Sequence, residues 1–383
     1  MNKLLQLIPF VLMSFQLAAQ GYPVFGPEKK VTITGITFDV MEPFLSEDEN
    51  VLFFNSLNSG GQTNLHYALR VNDTTFTYVD TLTGCYDTSS NHLDAVASLD
   101  SANHFYWVSL RNYTGTVYAN LHHGNYAAGH VSGISPVYGD FNIPAFGWLI
   151  MDAAIDYSGN NLYYCNAYFD LISSSCGPGI PCEGILGVAQ KINDSTFNKL
   201  PGSDAIFANI NDTNYVVYAP QVTHDGLYIY YTRFQKGTGS TQLCVSYRTT
   251  TTGVFTSPHI IWENFPYVPE GTTVTDDNQK IYYHQKNGML VYTMYMRYRT
   301  GTIGLNELNS HSAYNVYPNP VSNILHIETS STNLSCRVFS TTGQLQLAFA
   351  NQNTIDVSSL SPGLYLIKID DKNSSLTKRF VKQ

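Results

Sequence analysis

The chain reads as short runs of alternating apolar and polar residues, cut off by Gly, Asn, Asp, Ser or Pro. A period of two belongs to half-buried strands, and the interruptions are turn chemistry. Within that text one theme recurs five times: EPFLSEDENVLFFNS from Glu42, DAVASLDSANHFYWVS from Asp94, DAAIDYSGNNLYYCNA from Asp152, APQVTHDGLYIYYTR from Ala219 and EGTTVTDDNQKIYYHQ from Glu270. Each opens on a small or acidic residue, runs through a short apolar strand and a turn, and ends in an aromatic strand. The starts lie 52, 58, 67 and 51 residues apart.

A period near 50 residues with several strands per unit suits the four-stranded blade of a propeller. Five periods from Glu42 reach about residue 300. The last unit is one strand short after Ile281–Gln285 and Met289–Arg297, while Lys30–Ile36 is a strand without a unit. Pairing the two closes the ring and removes exposed edges. The expected fold is all-β: a five-bladed β-propeller followed by a small Ig-like β-sandwich, with six blades or a β-sandwich as alternatives for the body. Paired aromatics such as Tyr163-Tyr164, Tyr230-Tyr231 and Tyr282-Tyr283 should send one ring to each side of their sheet.

Composition agrees with this reading. Charged residues make up 13% of the 383 residues, about half the usual share. Tyr (28) and Gly (28) are abundant, favouring strands and tight turns, and stretches rich in Ala, Glu, Leu and Lys are absent. The net charge is −9, and the body is more acidic still, because both ends are basic. An acidic body without basic runs excludes nucleic acid and anionic membrane surfaces as natural partners.

The first residues carry an export signal. Lys3 precedes an apolar run, Leu4–Phe15, too short for a membrane anchor, and Ala18-Ala19 supply small residues for cleavage before Gln20. The expected organisation is therefore 1–19 signal peptide, 20–300 propeller, 301–314 linker and 315–383 a terminal domain, with no transmembrane anchor. Export makes disulfides permissible. Cys176 and Cys182 flank the turn-rich GPGIP and are expected to pair, while Cys85, Cys165, Cys244 and Cys336 have no assignable partners.

After Tyr314 the text changes. Alternating strands at Ile324–Ile327, Arg337–Ser340, Leu364–Ile369 and Leu376–Val381 are separated by Thr341-Thr342-Gly343 and Ser361-Pro362-Gly363. Tyr317-Pro318-Asn319-Pro320 at the entry, Gly343, Leu360, Pro362-Gly363-Leu364-Tyr365 and the basic ending Lys378–Lys382 resemble the type A sorting domain of the type IX secretion system. That resemblance implies Sec export, recognition by the type IX machinery, and a secreted or cell-surface destination. The five repeats resemble TolB-like, WD40-related propeller repeats through Glu42-Pro43, Ser46, Asp48, Pro220, Asp225 and Gly226. This likeness implies architecture and no particular activity.

The chemistry is sparse. There is no Gly-x-Ser-x-Gly elbow, no phosphate-cradling loop and no His-Glu-x-x-His helix. His122, His123 and His130 cluster in sequence, but no acidic or thiol ligand interleaves them, so a solvated strand is the simpler reading. Glu42, Asp94, Asp152 and Glu270 occupy corresponding places in four repeats and are candidates for a ring of carboxylates at one channel mouth. Such a ring raises pKa values or draws in a cation, Ca²⁺ suiting oxygen-only ligands better than zinc. A glycosidase would use one pair of them, and simple turn capping needs none of this. The function expected is extracellular binding of a glycan or protein ligand, or scaffolding, without catalysis; a five-bladed glycoside hydrolase acting on polysaccharide is the alternative.

Overall fold

The computed structural model describes residues 21–58, 62–86, 92–114, 116–289, 291–304, 315–328, 334–340, 344–370 and 375–383. The signal peptide, most of the linker and Gly343 lie outside the described residues. The chain divides into two compact units, Met1–Thr302 and Ile303–Gln383.

Five sheets follow one another through the first unit. The first runs Met41–Leu45, Val51–Asn55, Leu65–Asn72, Thr75–Thr81. The second runs His92–Leu99, His104–Ser109, Leu121–Ala127, His130–Pro136, and the third Trp148–Ile155, Asn161–Tyr168, Glu183–Asn193, Thr196–Lys199. The fourth runs Tyr215–Val222, Tyr228–Gln235, Thr241–Tyr247, His259–Glu263. The fifth has Glu270–Val274, Lys280–Lys286 and Tyr292–Gly304. Each sheet's first strand packs on the next sheet's, and Glu270–Val274 returns to Met41–Leu45.

The fifth sheet is completed by Gly21–Phe25, with Lys29–Lys30 also pairing Tyr292–Gly304. This corrects the expectation for Lys30–Ile36: Thr32–Thr34 crosses to the first sheet instead, parallel to Thr75–Thr77. The N-terminal segment thus straddles the seam between the fifth and first sheets.

The aromatic pairs explain the packing. Successive side chains on a strand face opposite ways, so Phe53 enters the core between the first and second sheets while Phe54 enters that between the fifth and first. Tyr163 and Tyr164, Tyr230 and Tyr231, and Tyr282 and Tyr283 divide in the same way. One cluster fills each of the five seams. Each ring removes on the order of 150–250 Å² from water.

In the longest repeat, Cys176 and Cys182 form a disulfide with Cα atoms 5.4 Å apart, closing the connection before Glu183–Asn193. Cys85, Cys165, Cys244 and Cys336 are buried free thiols.

The second unit holds two antiparallel sheets: Asn315–Tyr317, Ile324–Glu328 and Thr354–Asp356, and Leu345–Ala350, Ser335–Ser340, Gly363–Asp370 and Ser375–Lys382. They share one core, including Leu325, Val338, Ile367 and Phe380. Asn319 joins its entry to the last strand, its Oδ1 accepting from the Val381 amide at 2.9 Å. Pro318 and Pro320 both follow cis peptide bonds. Tyr365 packs on Phe380 and donates its hydroxyl to the Ser361 carbonyl, two residues before Gly363.

Candidate functional site

The first strand of every sheet in the first unit is interrupted by a bulge. Register skips at Glu42-Pro43, Val96-Ala97, Met151, Ala219-Pro220 and Gly271-Thr272. Glu42 (φ 49°), Val96 (φ 57°), Ala219 (φ 50°) and Gly271 (φ 63°) take the left-handed conformation there. Such a backbone is costly for a β-branched residue like Val96 and persists where its surroundings over-determine it.

Hydrogen bonds supply that constraint. Each of these four amides donates to a side chain of the preceding sheet. Glu42 N–H reaches His284 Nδ1 (3.1 Å), Val96 N–H reaches Asn55 Oδ1 (3.3 Å), Ala219 N–H reaches Asp152 Oδ2 (3.1 Å) and Gly271 N–H reaches Thr232 Oγ1 (3.2 Å). Asn55, Thr232 and His284 each follow directly on an aromatic pair, and that polar residue was the sequence signal for this stitching.

The bulges surround a cavity of about 30 Å³, lined by residues of all five sheets. Glu42 and Asp152 line it, and Glu270 stands beside Gly271 on its wall. Among the candidate ligand atoms, those of Glu42, Glu270 and His284 lie within 4.8 Å of one another. Asp152 is 4% exposed. Glu270 accepts a 2.7 Å hydrogen bond from the Tyr218 hydroxyl and faces His284 Nε2 at 3.4 Å.

Burial, the Asp152 charge and then Glu270 push the Glu42 carboxyl well above its usual range. Asp152 is pushed up to about 7 by burial and Glu270, against the lowering effect of the Ala219 amide. The Tyr218 phenol is likewise raised, by burial and by Glu270. Glu42 and Asp152, buried beside further acid, thus hold their protons to higher pH than ordinary carboxyls do.

Asp94 does not join them. It lies two residues before its bulge and is buried against Trp107 Nε1 (3.0 Å) and Arg111 Nη2 (2.8 Å). Repeat alignment placed it by the Asp-Ala pair shared with Asp152, whereas the bulge makes Val96 the residue corresponding to Glu42. This is a correction to the four-acid ring. Glu270, for its part, stands one residue before its bulge.

The residues fit a hard cation better than a soft one. Glu42, Asp152 and Glu270 supply oxygen, and Thr272, on the cavity wall, has a buried hydroxyl without a hydrogen-bond partner. His284 does not add to the set. Its Nδ1 accepts the Glu42 amide proton, so the neutral ring carries its own proton on Nε2 and has no lone pair there for a metal. His122, His123 and His130 contact Asn112, Ser135 and Thr83 respectively, and do not converge.

Comparison with known proteins identifies the tail. Residues 315–383 match the secretion system C-terminal sorting domain. That tail sends the chain through type IX secretion to the cell surface or extracellular space. Among the described residues no helix is long and apolar enough to cross a membrane. No curated protein matches the chain.

Solved structures similar to it include the endo-arabinase from Bacteroides thetaiotaomicron, with 13% identity over 72% of this chain and 99% of that one, at a TM-score of 0.46. A family 117 glycoside hydrolase from Zobellia galactanivorans shows 10% identity over 73% and 91%, TM-score 0.48. A putative TolB from Agrobacterium tumefaciens shows 9% over 71% and 79%, TM-score 0.38. The chain is all-β with propeller-like neighbours. With these TM-scores below 0.5, function has to be argued from the residues themselves.

Proposed function

We propose that the first unit is a five-bladed β-propeller that acts outside the cell as a non-catalytic binding or scaffolding domain. Its axial carboxylates hold a hard cation such as Ca²⁺ and perform no hydrolysis. The sorting domain delivers it, and the exposed loops at the propeller faces meet a glycan or protein ligand.

The size of the axial cavity carries this reading. Sites for small molecules run to about 300 Å³ or more, and about 30 Å³ takes a water or an ion but no sugar ring. The convergence of three carboxylates, two with raised pKa values, is what favours the glycosidase alternative.

Two measurements separate the readings. The mature protein should release no reducing sugar from a panel of polysaccharides, and calorimetry should show Ca²⁺ binding that Asp152→Asn weakens at least tenfold. Sugar release that disappears in Asp152→Asn would instead establish the hydrolase.

A further inference from the structure

A second cluster lies at the far end of the first strands from the bulges, where each first hairpin turns. Three of these turns share one construction. Ser46, Thr223 and Thr275 donate their hydroxyls to Asp48, Asp225 and Asp277, each at 2.6 Å. The same hydroxyls accept the amides of Val51, Tyr228 and Lys280 at 2.9–3.0 Å. The residue between hydroxyl and carboxylate, namely Glu47, His224 or Asp276, makes none of these turn bonds. It is free to face the neighbouring turns.

These three side chains meet. Their candidate ligand atoms all lie within 4.8 Å of one another, and His224 Nδ1 is 3.8 Å from Asp276 Oδ2. Tyr157, at the same position in the third sheet, hydrogen-bonds Glu47 and sets its ring 3.7 Å from that of His224. Among the described residues no Lys or Arg pairs with Glu47 or Asp276, so two carboxylates stand together with only an imidazole between them.

The imidazole separates this cluster from the axial one. No backbone amide among the described contacts donates to either ring nitrogen of His224. Its tautomer is therefore open, and a nitrogen lone pair is available, as it is not at His284. One imidazole and two carboxylates are borderline donors that suit zinc or its first-row neighbours better than Ca²⁺. The side chains of His224 and Asp276 are 43% and 40% exposed, so an ion reaches them without opening the fold.

We propose that Glu47, His224 and Asp276 form a divalent transition-metal site, selective for Zn²⁺-like ions, that ties the first, fourth and fifth sheets together. Three protein ligands leave a position for water or for a donor from a partner. The inference is independent of the cation assigned to the axial carboxylates, because the two sites share no residue.

The test is titration of the full mature chain, freed of metal by EDTA and dialysis, with ZnCl₂ at pH 7 in a calorimeter. One Zn²⁺ per chain should bind, and His224→Ala and Glu47→Gln should each weaken it at least tenfold. Neither change touches a turn hydrogen bond, so circular dichroism should match the unaltered protein. Asp152→Asn should bind Zn²⁺ normally. No Zn²⁺ binding, or binding unchanged in His224→Ala and Glu47→Gln, would overturn the site. Loss of binding in Asp152→Asn alone would move the ion to the axial cavity and overturn it equally.

Discussion

Asp94 and Asp152 each open a repeat with the same Asp-Ala pair, yet their environments give them opposite energetics. Asp152 is an acid held above its ordinary pKa by burial and Glu270. The folded state therefore binds more protons than the unfolded one, and stability falls as pH rises from about 4 to about 7. Asp152→Asn keeps an oxygen to accept the Ala219 amide and removes the buried charge. It should raise stability at pH 8 by roughly 2–4 kcal/mol and flatten the pH dependence, read by urea denaturation at pH 5 and pH 8. Millimolar Ca²⁺ should stabilise the unaltered protein at pH 8 and leave the variant unchanged. Asp94 is instead the buried partner of Arg111 and Trp107. Asp94→Ala leaves the Trp107 indole N–H without its acceptor and the Arg111 charge, still bonded to Ser109 and the Cys85 carbonyl, without its counter-charge; it should cost roughly 3–5 kcal/mol in the same assay. Sequence correspondence showed that acids recur at strand entries. It could not show where the extra residue of each bulge falls, and a shift of one or two residues decides which side chain reaches the axis.

The strands were legible because alternation and aromatic pairs are local properties. The closing strand was not. Gly21–Phe25 contains Gly21 and Pro23, carries no repeat signature, and becomes a strand only by pairing with Tyr292–Gly304 across the whole unit. Its contacts are substantial. Tyr22 is buried, donates to the Ser257 carbonyl at 3.0 Å and stacks on His259, and the Tyr228 hydroxyl donates to the Gly21 carbonyl at 3.0 Å. Deleting Gly21–Phe25 uncovers the edge of a 13-residue strand. The deletion should lower the melting temperature by several degrees and produce dimers or larger species on size exclusion. A monomer melting at the original temperature would show that the ring does not depend on this closure.

Over the whole molecule, each unit has a core of its own. Among the described residues, the five clusters of the first unit are drawn from that unit, and the second has its own buried set around Leu325, Val338, Ile367 and Phe380. Asn319 ties the Pro318–Pro320 entry to the last strand, so the family motif has a mechanical role in holding the C-terminus to the sheet. Export was readable from sequence because a short motif fixes it. Ligand choice was not, because the exposed loops proposed to make it follow no repeat in sequence. A chain lacking residues 315–383 should therefore melt at the same temperature as the first unit does in the full chain. It should also remain in the periplasm, since the element read by the type IX machinery is gone. Calorimetry and cell fractionation read the two halves of this prediction separately. Lost cooperativity in the truncated chain would mean that the cores are coupled, and normal surface display would mean that the export signal lies within the first unit.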